Sequence, residues 1–314
     1  MPSSPDASRT PSADPTLTCA YDLLRHSQRL LPHAQRGAEW AGGWCLGLPP
    51  GIRPSQWPLS ETFGHPLRHA FTLHIPAQYR TQGDARVALS LFVDDQFDEL
   101  SANEAVEAFF AAELPEAAPQ DPALHVLWQH ARDRHPARFD MRDILGTQYA
   151  GLWLTQAEFD GTLCPAPRLP ASTVLGPEPS WHTQPYPTYF YDLRIREPNA
   201  PPIELLPHAG LETALPIYAQ LREGDPNVGK PPREWDDECV ESGYVPAFGE
   251  SAEGLDLERF FGRNHLGGTM MPVQGYPEFG PRFLEFEEDF GGFNFGCGTG
   301  QIDLASMQLD WACG

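Results

Sequence analysis

Several clusters in this 314-residue chain have the residue types and spacings that catalysis or ligand binding uses. Glu285, Glu287, Glu288 and Asp289 crowd four carboxyl groups into one short run. Paired carboxylates are the tools of general acid–base and glycosidic chemistry, and on a strand Glu285 and Glu287 share a face. Gly296-Cys297-Gly298-Thr299-Gly300 has the look of a phosphate-cradling glycine loop. Such a loop needs backbone N–H groups at the start of a helix, and here Gln301-Ile302-Asp303-Leu304 follows, which reads as strand. No G-x-x-x-x-G-K-S/T occurs, so the glycines read as a tight turn or bulge. Histidines could ligate a metal, but His65 and His69 are separated by Pro66, and His125, His130 and His135 spread around a helix at spacings of five. There is no H-E-x-x-H and no G-x-S-x-G, and Cys297 is a lone nucleophile with no histidine obviously paired to it. These patterns assign no catalytic residue, no cofactor and no metal.

The charge excludes more than the motifs do. Asp plus Glu number 43 against 21 Lys plus Arg, a formal charge of −22. That disfavours nucleic acid, which demands a basic face, and anionic membrane surfaces as well. The imbalance is concentrated: residues 203–314 hold 20 acids against 6 bases, the remainder 23 against 15. An acidic field of this kind serves solubility or speeds association with a basic protein. Trp235-Asp236-Asp237-Glu238 is its densest cluster and a candidate partner contact. No apolar run approaches the ~20 residues needed to span a bilayer. The first residues lack the apolar core of a signal peptide, and the six cysteines form no C-x-x-C pair, so a cytoplasmic location with reduced thiols is expected.

The elements that must position these groups read as follows. Residues 1–16, rich in Ser, Pro and Ala, read as a disordered tail, with one domain over 17–314. Thr18–Leu31 has apolar residues at near-helical spacing and predicts a first helix ended by Pro32. Alternation in Leu67–Ile75 and again in Val87–Val93 predicts an antiparallel hairpin with one buried face, from which Arg68, Thr72 and His74 point away. Asp94-Asp95 closes its second strand. Ser101-Ala-Asn-Glu104 predicts a capping box, and Asp121-Pro122 starts a second helix reaching about His135. Gly151–Leu154 and Thr188–Arg196 predict strands, and the Pro-rich 164–187 between them a long loop or linker. Near the C-terminus Leu255–Arg263 predicts a short helix, with strands at Arg282–Glu287 and Gln301–Leu304. Strands at both ends with helices and loops between them give an α+β class.

Two segments together resemble a known family. The first holds Gly42-Gly43, Leu48-Pro49-Pro50-Gly51, Trp57-Pro58, Gly64-His65-Pro66-Leu67 and Phe92-Val93-Asp94-Asp95. The second holds Leu266-Gly267-Gly268-Thr269, Pro272-Val273-Gln274-Gly275, Arg282–Phe286, Phe295–Gly300 and Trp311-Ala312-Cys313. This order resembles the YwqG-like family, a bacterial domain of unknown function, over about residues 40–100 and 262–313. The span of about 100–260 reads as an insertion that does not align. His74 stands where relatives often have Gln, and Gly296-Cys297 where they have a Gly-Asp step. The resemblance implies an α+β fold built on a large mixed or mostly antiparallel sheet from the N- and C-terminal strands, and no established reaction. It also suggests an immunity or accessory protein of a bacterial toxin or secretion system. The sequence therefore predicts a non-enzymatic acidic binding protein with a basic protein partner. Its alternative is an enzyme or small-molecule binder with a pocket near the Gly-Gly and Gly-Thr-Gly segments, lined by Asp94, Asp95, Gln274 and Glu285. Glu287 joins these as a candidate contact.

Overall fold

A computed structural model describes residues 13–27, 30–94, 103–170, 175, 178–183, 212–233, 242–247 and 254–314. Strands dominate them, every strand pairing with a stated register is antiparallel, and the helices are few and short. No helix among them is long and apolar enough to cross a membrane. The chain forms two compact units. A larger one comprises Leu24–Tyr218 and Glu288–Asn294, and a second comprises Met1–Leu23, Ala219–Glu287 and Phe295–Gly314.

In the larger unit, β3 (Gly43–Cys45), β4 (Arg68–His74), β5 (Arg86–Val93), β7 (Gln148–Thr155) and β6 (Arg138–Arg142) pair in that order. The predicted hairpin is β4–β5, with Leu73 opposite Leu89 and Thr72 opposite Ser90. Its expected exposed face is absent, because Arg68 and Thr72 are buried. Arg68 can be buried because its guanidinium donates to two carbonyls, Gly291 O at 2.7 Å and Gly292 O at 2.6 Å. Such a charged donor satisfied inside the fold is tolerated; an unsatisfied one is not. Trp40, Trp44, Trp57, Phe92 and Leu152 fill the core on this sheet. All three of these indoles find acceptors: Trp40 donates to Glu39 Oε1, Trp44 to Leu48 O and Trp57 to Leu67 O. Gly43 is forced by geometry, since a Cβ there would lie 2.0 Å from Thr72 O.

The helices sit beside this sheet. α1 (Glu104–Ala111) is capped by Asn103, whose side chain accepts from Ala105 and Val106 N–H. Ser101, the expected cap, lies outside the described residues, and so does Asp95. α2 (Pro122–Arg132) starts as predicted, with Asp121 as N-cap and proline in the first turn. It ends before His135, which bonds instead to Glu158 of α3 (Gln156–Phe159). The Pro-rich segment after residue 164 holds a short helix, α4 (Ser180–Thr183). The strand predicted at Thr188–Arg196 lies outside the described residues.

The second unit pairs the start of β1 (Tyr21–Arg25) with β9 (His265–Leu266), then β9 with β10 (Phe283–Glu287), β10 with β11 (Thr299–Asp303) and β11 with β12 (Gln308–Ala312). The helix predicted over Thr18–Leu31 is therefore a strand. Pairing with β9 places Asp22 beside two arginines, a reward that no isolated helix offers, and tertiary pairing overrides a weak period. The helix predicted over Leu255–Arg263 is reduced to one 3₁₀ turn at Glu258–Phe260. β10 and β11 fall close to the strands read at Arg282–Glu287 and Gln301–Leu304, whereas nothing in the sequence reading marked β12.

Candidate functional site: a buried polar row in the second unit

Register in the second unit lines up one residue from each of five strands: Asp22 with His265, His265 with Glu285, Glu285 with Gln301, and Gln301 with Asp310. Directly opposed residues share a face, so these side chains form a polar row across the sheet. Asp22, His265, Glu285 and Gln301 are buried; His265 has no exposed surface and Glu285 retains 3%. Thr299, Glu287 and Asp303, two positions along their strands, are buried too. The opposite face carries Leu266, Leu284, Phe286 and Ile302, all buried. A sheet normally exposes one polar face. Here both are enclosed, so the row must satisfy itself.

It does so through donors and acceptors that can be counted. His265 Nδ1 lies 2.8 Å from Gly267 O, which only accepts, so Nδ1 carries a proton. Its Nε2 lies 3.0 Å from Glu285 Oε1. The Glu285 carboxyl also accepts from Met271 N–H at 3.0 and 3.1 Å, and from the Gln301 amide at 3.3 Å. One proton therefore lies between Glu285 Oε1 and His265 Nε2, while the Met271 and Gln301 donors hold the carboxyl in place against the ring. The pair is thus a hydrogen-bonded imidazole–carboxyl contact sealed in the fold, with Phe283 set edge-on to the ring at 5.7 Å.

The same row is braced at Asp22. Arg222 Nε donates to Asp22 Oδ1 at 2.7 Å and Arg263 Nη1 reaches Oδ2 at 3.0 Å. Arg222 is buried; its Nη1 donates to Thr269 O and lies 3.5 Å from Asp225 Oδ2, and Phe260 covers its guanidinium at 4.7 Å. Asp225 in turn accepts from the N–H groups of Asn227 and Thr269 and from the Thr269 hydroxyl. Close approach explains Gly268, because a Cβ there would lie 2.4 Å from Asp225 Oδ2 at a φ of +80°. One of the paired Gly-Gly motifs thereby has a physical reason: it lets the chain pass over a buried carboxylate.

The residues singled out from sequence are scattered among different tasks. Glu285 and Glu287 share the buried face of β10, and Glu287 N–H donates to Asn264. Gln274 is on an exposed loop, donating to Cys313 O at 3.1 Å. Asp94 belongs to the larger unit, where it accepts from the buried Ser60 hydroxyl. That hydroxyl accepts from Thr62 and Phe63 N–H, so the acid anchors a turn. Asp95 and Trp235, Asp236, Asp237 and Glu238 lie outside the described residues. The helix histidines have separate partners: His125 with Gln129, His130 with Trp57 O, His135 with Glu158. No group of three or more His, Cys, Asp or Glu among the described residues is placed to hold a metal. Arg222 and Asp225 carry no motif; Thr269 closes the Leu266-Gly267-Gly268-Thr269 segment, and His265 lies directly before it.

His265 and Glu285 have the chemistry of an acid–base pair, but their shared proton faces protein on every stated side. The six cations of residues 203–314 are also turned to internal partners. Arg222 and Arg263 hold Asp22, Arg282 holds Asp14, Arg233 holds the carbonyls of Pro232 and Phe279, Arg259 those of Glu223 and Gly224, and Lys230 that of Gly243. Glu223, Asp256, Glu258 and Glu278 are exposed. The chain matches no family model, no curated protein and no solved structure.

Proposed function

We propose that the chain is a non-enzymatic acidic binding protein of YwqG-like type. In this reading it acts in the cytoplasm as an immunity or accessory factor of a bacterial toxin or secretion system, holding a basic protein by direct contact. One observation carries it: the cations of the acidic C-terminal third are tied to internal carboxylates and carbonyls, while acids there remain at the surface. Exposed acids there outnumber the exposed cations Arg259 and Arg263 among the described residues, and a net negative surface accelerates encounter with a basic partner.

Within that third, the acids at Glu223, Asp256 and Glu258 accompany exposed apolar side chains at Leu221, Leu255 and Phe261, the last 66% exposed. The two bonds from Arg259 to Glu223 O and Gly224 O fasten the 258–260 turn to the 223–224 turn, so part of this patch is preorganised. An exposed aromatic side chain near surface acids suits a cationic, partly apolar partner segment. The test is co-expression with the protein encoded by the adjacent gene. A complex should form at low salt and weaken as salt rises. Reversing Asp256 and Glu258 to lysine should slow association about tenfold, and Phe261→Ala should hasten dissociation. Absence of a complex at low salt would end this reading.

A further inference from the structure

The end of the second unit sets two cysteines on adjoining segments of chain. Gly296 and Cys297 both have left-handed backbone, with φ of 61° and 65°, as in the tight turns that favour glycine and asparagine. A cysteine there is disfavoured by about 1 kcal/mol relative to glycine. Cys297 nonetheless interrupts a turn whose two flanking residues are glycines. Thr299 pairs with Ala312 at the start of the β11–β12 ladder, and Gly314 N–H donates to Gly296 O at 3.1 Å, so residues 296–298 continue alongside residues 312–314. The approach is close. A Cβ built on Gly296 would lie 3.3 Å from Cys313 Cβ, and one built on Gly314 3.5 Å from Cys297 Cβ. Disulfide Cβ atoms are separated by about 3.8 Å. Cys297 and Cys313 are staggered by one residue along this crossing, both are exposed, and neither is in a disulfide.

We propose that Cys297 and Cys313 form a dithiol site that a low-molecular-weight disulfide such as glutathione disulfide oxidises to an intramolecular disulfide. One protein thiolate attacks a sulfur of glutathione disulfide, forming a mixed disulfide and releasing one glutathione thiolate. The second protein thiolate then attacks the protein sulfur of that mixed disulfide and displaces the other glutathione. Two protein thiols lose two electrons and two protons, and one glutathione disulfide becomes two glutathione thiols. Cys45 and Cys164 are buried, and burial holds both thiols well above their ordinary range, Cys164 at about 12, so neither competes at neutral pH. Bridging would fasten the segment after β12 to the turn before β11. It would also act on the Gln274 amide, which rests on Cys313 O and, at 3.6 Å, on its sulfur.

Tryptic digestion makes the test direct. No Lys or Arg follows Arg282, so residues 283–314 form one peptide holding both thiols. The full chain is equilibrated with glutathione disulfide, alkylated, digested and weighed. The expected product is a 283–314 peptide two hydrogens lighter than the reduced form, blocked to alkylation until a reductant is added. Cys297→Ser and Cys313→Ser should each leave a stable glutathione adduct on the remaining thiol. As a positive control, G314C in a C313A background should bridge readily, because its Cβ separation is already that of a disulfide. Two separate glutathione adducts on the wild-type peptide, or complete alkylation of both thiols, would overturn the proposal.

Discussion

Each of the two units seals a histidine inside and aims its Nδ1 at a glycine carbonyl, and the two then diverge at the other ring nitrogen. In the larger unit, His69 Nδ1 lies 3.1 Å from Gly47 O, and Nε2 lies 2.9 Å from the Thr72 hydroxyl, which meets Ser90 at 2.7 Å. Every contact can be made by a neutral ring, with Ser90 donating to Thr72 and Thr72 to Nε2. Burial drives the His69 pKa down to about 3, so the ring stays uncharged at neutral pH. In the second unit Nε2 of His265 meets the Glu285 carboxyl instead, in a row whose neighbouring Asp22 is held by Arg222 and Arg263. The larger unit buries dipoles; the second buries ions held by other ions. What differs is therefore the cost of removing one partner. A lost dipole leaves one unsatisfied atom, whereas a lost ion leaves an uncompensated charge.

Arg222 is where that difference should be largest. Arg222→Leu keeps much of the volume but strips Asp22 and Asp225 of a buried counter-charge, leaving Asp22 only the half-exposed Arg263. The expected loss is about 3–5 kcal/mol. It should be visible as a lower urea midpoint and as faster hydrogen exchange in β9–β11, with β4–β5 changed less. A loss below about 1 kcal/mol would show that the ions are dispensable and would dissolve the contrast between the units.

Acid tests the other side. An unfolded histidine takes up its proton near pH 6.5, whereas folded His69 does so near 3 and folded His33, desolvated and beside Arg36, near 4. Between those values the unfolded chain holds more protons, so the stability these groups contribute is complete above pH 6.5 and declines as the pH falls. At pH 5 the loss is about 2 kcal/mol for each. His69→Asn, which can still donate to Gly47 O, and His33→Gln, which can still accept from Leu48 N–H, should each flatten that slope. Unfolding free energies measured from pH 7 to pH 5 for each variant check this, and slopes identical to wild type would mean that the rings are already charged in the folded protein.

The strands were easier to see in the sequence than what joins them. Alternation in Leu67–Ile75 and Val87–Val93 marked the β4–β5 hairpin because the pattern is local, the short Arg282–Glu287 run marked β10, and Asp121-Pro122 marked α2 because capping needs only adjacent residues. The burial of Arg68 could not be read in the same way, since its acceptors are 223 and 224 residues away. The polar row was hidden for a related reason. It exists only once five strands are in register, and β9, which joins β1 to β10, is two residues long and has no period at all. Glu285 was singled out as an acid; nothing nearby in sequence indicated that His265 and Arg222 would make it part of a closed network.

The smallest expected effect lies in the neutral chain of the larger unit and gives the finest measure of the contrast. Thr72→Val preserves shape but removes the hydroxyl between His69 and Ser90, leaving Nε2 without its donor and Ser90 without its acceptor. The expected cost is about 1–2 kcal/mol, the usual penalty for one stranded buried polar group. Ser90→Ala removes only the end of the chain and should cost less, since Thr72 can still donate to His69. Because the two hydroxyls act in series, the double variant should cost little more than Thr72→Val alone, a coupling that a double-mutant cycle reads directly. Additive costs would mean that Ser90 is held by some other contact and that the dipoles do not form a chain. The Arg222 effect would then have to be compared with isolated hydrogen bonds rather than with a network.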